Sequence, residues 1–240
     1  IMVDGEHRGL VARLNQLAQL NDSPYLARMD ADDIMHPERL STQLEYLRNC
    51  GAEGVGTAAY TMSRDASPVG VRGEGPLACD IRDVLRRGLF IHPTVMFDAN
   101  FARHNAYDPE YPRAEDLELW CRSLAHGAMA TISRPLLFYR EPVPINLRNY
   151  AASAITRIKI VRRYGRSLRP WERTLLVSRI HSSVVAYRVA GWLRAQGVLV
   201  AARSRTMSAS EHAEAAAALA RVKQQPVPGL GPAREGEDEA

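Results

Sequence analysis

The run Tyr25-Leu26-Ala27-Arg28-Met29-Asp30-Ala31-Asp32-Asp33 constrains this chain more than any other segment. Three carboxylates close a short apolar stretch, and that density of charge calls for a cation or a strong local set of donors. The turn-forming Asn21-Asp22-Ser23-Pro24 precedes it, so Tyr25 to Met29 is predicted as a short buried strand whose end opens into an acidic loop. In an open α/β sheet, ligands bind at that end of a strand. Hard oxygen donors suit Mg²⁺ or Mn²⁺, which keep waters and take one or two carboxylates together with substrate phosphates. A local reading competes: Asp-rich turns cap helices, and Pro37 fits the first turn of a helix from Pro37 to Cys50. Capping accounts for one Asp comfortably and for three poorly.

A second acidic pair lies further on. Leu117, Trp120, Cys121 and Leu124 recur at helical spacing, which predicts a helix with Glu115 and Asp116 in its first turn. Two readings stand for these acids. Either one is a general base, or both answer the positive end of the helix dipole, worth roughly 0.3–1 kcal/mol at exposed sites. His92, before Pro93-Thr94, is read either as a catalytic group or as a residue that orients a loop. Arg28 and Arg140 suit anion contacts, because a guanidinium pairs bidentately with phosphate, or else salt bridges to the nearby acids. Trp120 and Tyr139 fit a ligand pocket or the core.

Four ordered blocks resemble the family 2 inverting glycosyltransferases. They are Gly9-Leu10 through Leu14-Asn15, ARMDADDIMHPERLSTQLEYL from Ala27 to Leu47, Ile91 to Phe97, and Ala114 to Arg122 followed by Pro135 to Arg140. Together they cover about residues 5 to 141. The resemblance implies an α/β fold of the GT-A type, a mixed sheet flanked by helices. It implies transfer of a sugar from a nucleotide-diphosphate donor to an acceptor hydroxyl, with Mn²⁺ or Mg²⁺ as cofactor. It assigns Asp30, Asp32 and Asp33 to the metal motif, with Asp32 the foremost ligand and Asp30 near the donor ribose or a metal-bound water. Arg28 joins Asp30 and Asp32 at the donor. Asp116 becomes the general base, with Glu115 second, and His92, Trp120 and Arg140 become acceptor or phosphate contacts. The setting implied is bacterial surface polysaccharide or glycolipid synthesis, with a saccharide or lipid-linked acceptor.

The beginning departs from the family pattern. The apolar strand, nucleotide-contacting loop and second strand that usually precede the glycine-leucine block have no counterpart, and His7 stands where Asn is common. The expectation is therefore a GT-A-like domain over 1–141 that lacks its N-terminal strands. A rival function follows: a non-catalytic fragment that binds a partner protein or a membrane.

The rest of the chain bounds these readings. Of 240 residues 46% are hydrophobic, enough for a substantial core. The 31 basic residues are 29 Arg and 2 Lys, and a net charge of +4 gives no case for nucleic acid. Cys50, Cys79 and Cys121 lack metal spacing, which fits reduced thiols and a cytoplasmic protein. Glu53 to Met62 and Pro68 to Arg72 are predicted as strands and Cys79 to Arg87 as a helix, framing the acceptor side. Residues 142–223 are predicted as a basic helical extension, with helices over Ala151–Gly165 and Arg169–Arg205. Trp171, Leu175, Leu176, Ile180, Val184 and Tyr187 are taken as one apolar face of the second. Arg188 and Arg194 interrupt its most apolar part, so it lies on an anionic leaflet as a peripheral contact or packs against protein, and does not span. Glu211 to Lys223 is predicted as an exposed helix, and 224–240 as a disordered tail.

Overall fold

In the computed structural model, residues 5–63, 65–78, 80–124, 128–141 and 143–225 are described. Cys79 and most of the expected tail, 226–240, lie outside them. Helix α1 (Leu10–Leu20) leads into strand β1 (Tyr25–Ala27), the acidic loop, β2 (Ile34–Met35) and α2 (Arg39–Cys50). Then follow β3 (Gly54–Met62), β4 (Pro68–Arg72), α3 (Ile81–Arg87), β5 (Met96–Asp98) and α4 (Ala99–His104). The remaining elements are α5 (Glu115–Ser123), β6 (Met129–Arg140) and the helices α6 (Leu147–Tyr164), α7 (Pro170–Trp192), α8 (Gln196–Ala201) and α9 (Ala209–Lys223).

The sheet is mixed, as expected, with order β1-β5-β3-β6-β2 and β4 alongside β3. Strands β3 and β6 run parallel, and the other pairings are antiparallel. All nine residues of β3 are buried, because it lies at the centre with neighbours on both edges. In β6, Pro135 has no N–H to give the ladder, and the register slips beside it: Thr57 pairs with Ile132 and Ala58 with Pro135. The slip pushes Ser133 and Arg134 outward, and Arg134 binds Glu38 at 2.8 Å and Glu214 at 3.0 Å. Beyond it Leu136, Leu137 and Phe138 are fully buried, each worth about 1.5–3 kcal/mol of apolar burial.

The main core lies between sheet and helices around Trp120, which is 0% exposed and packs against Phe90 and Phe97. Ala154, Ile160, Val161, Leu176 and Ile180 belong to this same cluster, so α6 and α7 complete the core that the earlier elements begin.

Several boundaries differ from expectation. The strand Tyr25–Met29 stops at Ala27, where the Arg28 backbone N–H turns to Val95 O at 2.9 Å. Helix α2 starts at Arg39 rather than Pro37, and its N-cap is Glu38 without a side-chain cap bond. None of the three acids caps it, so the local reading of the acidic run fails. His92 sits in a 3₁₀ turn, His92–Thr94, ahead of β5. The long helix expected over Arg169–Arg205 breaks after Trp192, where Arg194 takes φ 56°, and resumes as α8. Its expected single apolar face is two faces: Leu176, Ile180 and Tyr187 are buried, whereas Trp171 is 58% and Leu175 50% exposed. Trp171 and Leu176 are five residues apart, about 140° around a helix, so one face cannot hold both. Helix α9 is not simply exposed, since Ala215, Ala218 and Leu219 are buried in a cluster with Tyr60 and Phe138. No helix among the described residues is long and apolar enough to cross a membrane.

Candidate active site

The acidic loop after β1 holds three acids in three environments. Arg28, only 8% exposed, grips Asp30 with two bonds: Nη2 donates to Oδ1 at 2.6 Å and Nη1 to Oδ2 at 3.0 Å. Asp32 is exposed, and its carboxylate has no hydrogen bond or ion pair among the described residues. Asp33 turns inward and is buried. Its Oδ1 accepts from the Arg140 backbone N–H at 2.9 Å, and its Oδ2 is buried with no partner among the described residues. Burial, reinforced by the neighbouring Asp30 and Asp32, pushes the Asp33 carboxyl up to about 6 against the Arg140 bond and the Arg28 charge. Arg140 also donates from Nε to the Asp32 carbonyl at 3.1 Å, so it braces the loop from the last residue of β6.

Helix α2 fixes the strand ends beneath that loop with a buried polar pair that the sequence reading passed over. Arg39, Gln43 and Leu47 lie at i, i+4 and i+8 and are its three buried residues. Arg39 donates from Nη2 to the Arg28 carbonyl at 2.8 Å and from Nε to Gln43 Oε1 at 2.9 Å. Gln43 Nε2 in turn donates to Val55 O and Thr94 O, both at 2.9 Å. The pair thus ties α2 to the ends of β1 and β3 and to the turn before β5. Its signal was present as two polar residues on the helical stripe that also carries Leu47. Burial lowers the Arg39 guanidinium to about 10.

A cleft of about 780 Å³ joins residues far apart in sequence. Arg28 and Asp30 line it from the loop, His92 from the 3₁₀ turn, Glu115, Asp116 and Trp120 from α5, and Tyr139 from β6. Asp32, Asp33 and Arg140 do not line it. Helix α5 begins at Glu115 as predicted, after a left-handed residue, Arg113, with φ 64°. Such strain in a non-glycine residue costs about 1–3 kcal/mol and accumulates at functional sites. Burial raises the carboxyls of both Glu115 and Asp116, with the Arg28 charge acting against it. That offsets the dipole, which alone would make either acid a weak base. Asp116 Oδ1 accepts from the Leu117 N–H at 2.8 Å.

His92 takes a positioning place. Its Nε2 lies 2.8 Å from the Tyr107 hydroxyl, and its ring packs edge-on against Trp120. Burial holds its pKa well below the usual histidine value, so it is neutral at pH 7. Trp120 is both core and cleft wall. Its indole N–H is buried without a partner among the described residues. Arginines that the sequence reading did not single out also line the cleft, among them Arg72 and Arg203, which share Glu141, and Arg157. They come from β4, from the segment after α8 and from α6, and no local motif marks them as neighbours.

The donor set around the loop suits a hard cation in part. Among the described residues no three His, Cys, Asp or Glu side chains are arranged to hold a metal ion. One free exposed carboxylate, Asp32, and an orphaned buried oxygen, Asp33 Oδ2, suit an ion that takes one or two carboxylates and completes its shell with phosphates and water.

Residues 1–74 match the family model described as glycosyl transferase family 2. Among curated proteins, the chain is 25% identical to the bifunctional glycosyltransferase pgtA of Dictyostelium discoideum, over 58% of this chain and 23% of that protein. It is 26% identical to an uncharacterized glycosyltransferase of Methanocaldococcus jannaschii, over 65% of this chain and 53% of that one. It is 29% identical to another from Haemophilus influenzae, over 55% and 45%. The chain therefore spans from about a quarter to about half the length of these relatives. Among solved structures, S. aureus TarS 1–349 in complex with UDP-GlcNAc is similar at a TM-score of 0.45 and 9% identity, over 69% of this chain and 50% of that chain.

Proposed function

We propose that this chain, a relative of the family 2 glycosyltransferases, moves a sugar from a nucleotide-diphosphate donor to an acceptor hydroxyl with inversion. The observation that carries the reading is the shared cleft: Asp116, a carboxyl made more basic by burial, opens onto the same cavity as Arg28 and Asp30 of the acidic loop. Asp116 takes the acceptor's proton, the acceptor oxygen bonds to the anomeric carbon, and the bond from that carbon to the diphosphate breaks on the opposite side. Glu115 is the second candidate for the base. Asp32, with Asp30 and Asp33 beside it, would hold Mg²⁺ or Mn²⁺, whose chemistry is to neutralise the leaving diphosphate. Arg28 orients Asp30 through its two bonds, and Arg140 braces the loop. Trp120 and Tyr139 wall the acceptor side. The setting we propose is bacterial surface polysaccharide or glycolipid synthesis at the cytoplasmic face of the membrane.

The test is calorimetric titration of the chain with UDP and UDP-sugars, with and without Mn²⁺, using Asp32→Asn as control. Metal-dependent binding lost in the variant supports the donor site. A folded chain that binds no nucleotide sugar of any base removes the transferase reading and favours a binding module.

A further inference from the structure

Helix α7 is apolar on two opposite sides, and only one of them is used inside the protein. Leu176, Ile180, Tyr187 and Ala190 are buried. At about 100° per residue, Trp171, Leu175, Val185, Val189, Trp192 and Leu193 fall on a separate stripe, with only Ser, Thr and Ala between them. All six are at least 49% exposed, Trp192 reaches 84%, and Val198 of α8 adds 70% beside them. Val185, Val189, Leu193 and Val198 line a groove of about 670 Å³ between the two helices. It shares no residue with the catalytic cleft.

The charges along the stripe narrow the occupant to one kind. Residues 170–201 contain a single acid, Glu172, which is buried and paired with Arg82. Arg179 and Arg188 border the stripe on either side and Arg194 follows its end. All three are exposed, and none has a carboxylate partner among the described residues. Some exposed cations elsewhere are matched, as Arg134 with Glu38 and Glu214 or Arg205 with Glu74 and Glu211, and others, such as Arg48 and Arg162, are not among the described residues; what sets the stripe apart is that its arginines flank an exposed apolar face. Two copies joined through this stripe would bring these arginines together with no acid on the stripe to pair them. A sheet of anionic headgroups would pair all of them, while Trp171 and Trp192, about 32 Å apart along the helix, would sit at the headgroup boundary that indoles favour.

We propose that the exposed face of α7 and α8 docks this protein flat on an anionic lipid surface. The proposal is independent of the transferase reading. It is tested by flotation of the whole chain with vesicles of phosphatidylcholine and phosphatidylglycerol, about three to one, and of phosphatidylcholine alone. The expected result is salt-sensitive capture by the mixed vesicles. Trp emission should shift to the blue, with the buried Trp120 as a constant background. Trp171→Ala with Trp192→Ala, and separately Arg179→Gln with Arg188→Gln and Arg194→Gln, should each weaken capture by about tenfold or more without moving the unfolding midpoint. The proposal is overturned if the folded chain ignores the mixed vesicles, or if it binds them as well with either variant. It is also overturned if sedimentation without vesicles finds a dimer that Trp192→Ala abolishes.

Discussion

Arg28 holds Asp30 in a two-bond grip of 2.6 and 3.0 Å, and it does so from the wall of the cleft that also contains Asp116. Its charge acts on Asp33, Glu115 and Asp116 as well, so one guanidinium couples the acidic loop to the first turn of α5. Arg28→Met should lower the unfolding free energy by about 1–3 kcal/mol, because Asp30 is left half-buried without its partner. It should weaken nucleotide-sugar binding as well. Urea unfolding and calorimetry check both, and an unchanged midpoint would show that the pair contributes nothing.

Asp116→Asn should lower kcat by about 10²- to 10⁴-fold while leaving the unfolding midpoint unchanged or higher, since a buried carboxylate is removed. Glu115→Gln should cost less. Because burial raises Asp116, the acid limb of the wild-type rate profile should lie above the ordinary carboxylate value of about 4. Equal losses in the two variants would move the base assignment to the pair.

Asp33 should make stability fall as pH rises. Its folded pKa, about 6, exceeds the ordinary 3.8, so between these values the folded state holds more protons than the unfolded chain. Its contribution is most favourable below about pH 4, is lost between about pH 4 and 6, and amounts to roughly 3 kcal/mol at most. Glu115 and Asp116 act in the same direction, so the diagnostic is the difference between wild type and Asp33→Asn. The variant should show a flatter thermal midpoint across that window, and parallel curves would refute the assignment.

Arg39→Met should cost about 2–4 kcal/mol, because it strips a donor from the buried carbonyls of Arg28 and Val95. Gln43→Leu should do the same to Val55 and Thr94. If the double variant is less destabilised than the sum of the singles, the residues act as one brace. Strict additivity would separate them.

The elements with strong local signals were read nearly as they stand. Strand β4, the start of α5 and the order of the acids relative to the strand end follow from alternation, helical spacing and turn residues, all of which act over a few positions. The errors fall where long-range contacts decide. Strand β1 is two residues shorter than predicted because Arg28 is claimed by Val95, sixty-seven positions away in the sequence. The small side chains of α9 gave no sign that Ala215 would pack beside Phe138. Both apolar faces of α7 were folded into one because composition alone does not say which side has a neighbour.

By itself the sequence determined that Asp30, Asp32 and Asp33 follow a strand, that Glu115 and Asp116 open a helix, and that both groups belong to blocks resembling one enzyme family. The tertiary structure alone decided their states. It paired Asp30 with Arg28, left Asp32 exposed, buried Asp33 against Arg140, and set Asp116 in a cleft shared with residues more than eighty positions away. The physical reason is that a carboxyl's charge, basicity and reach depend on burial and on which donors surround it. Those donors arrive from other strands and helices only when the sheet assembles.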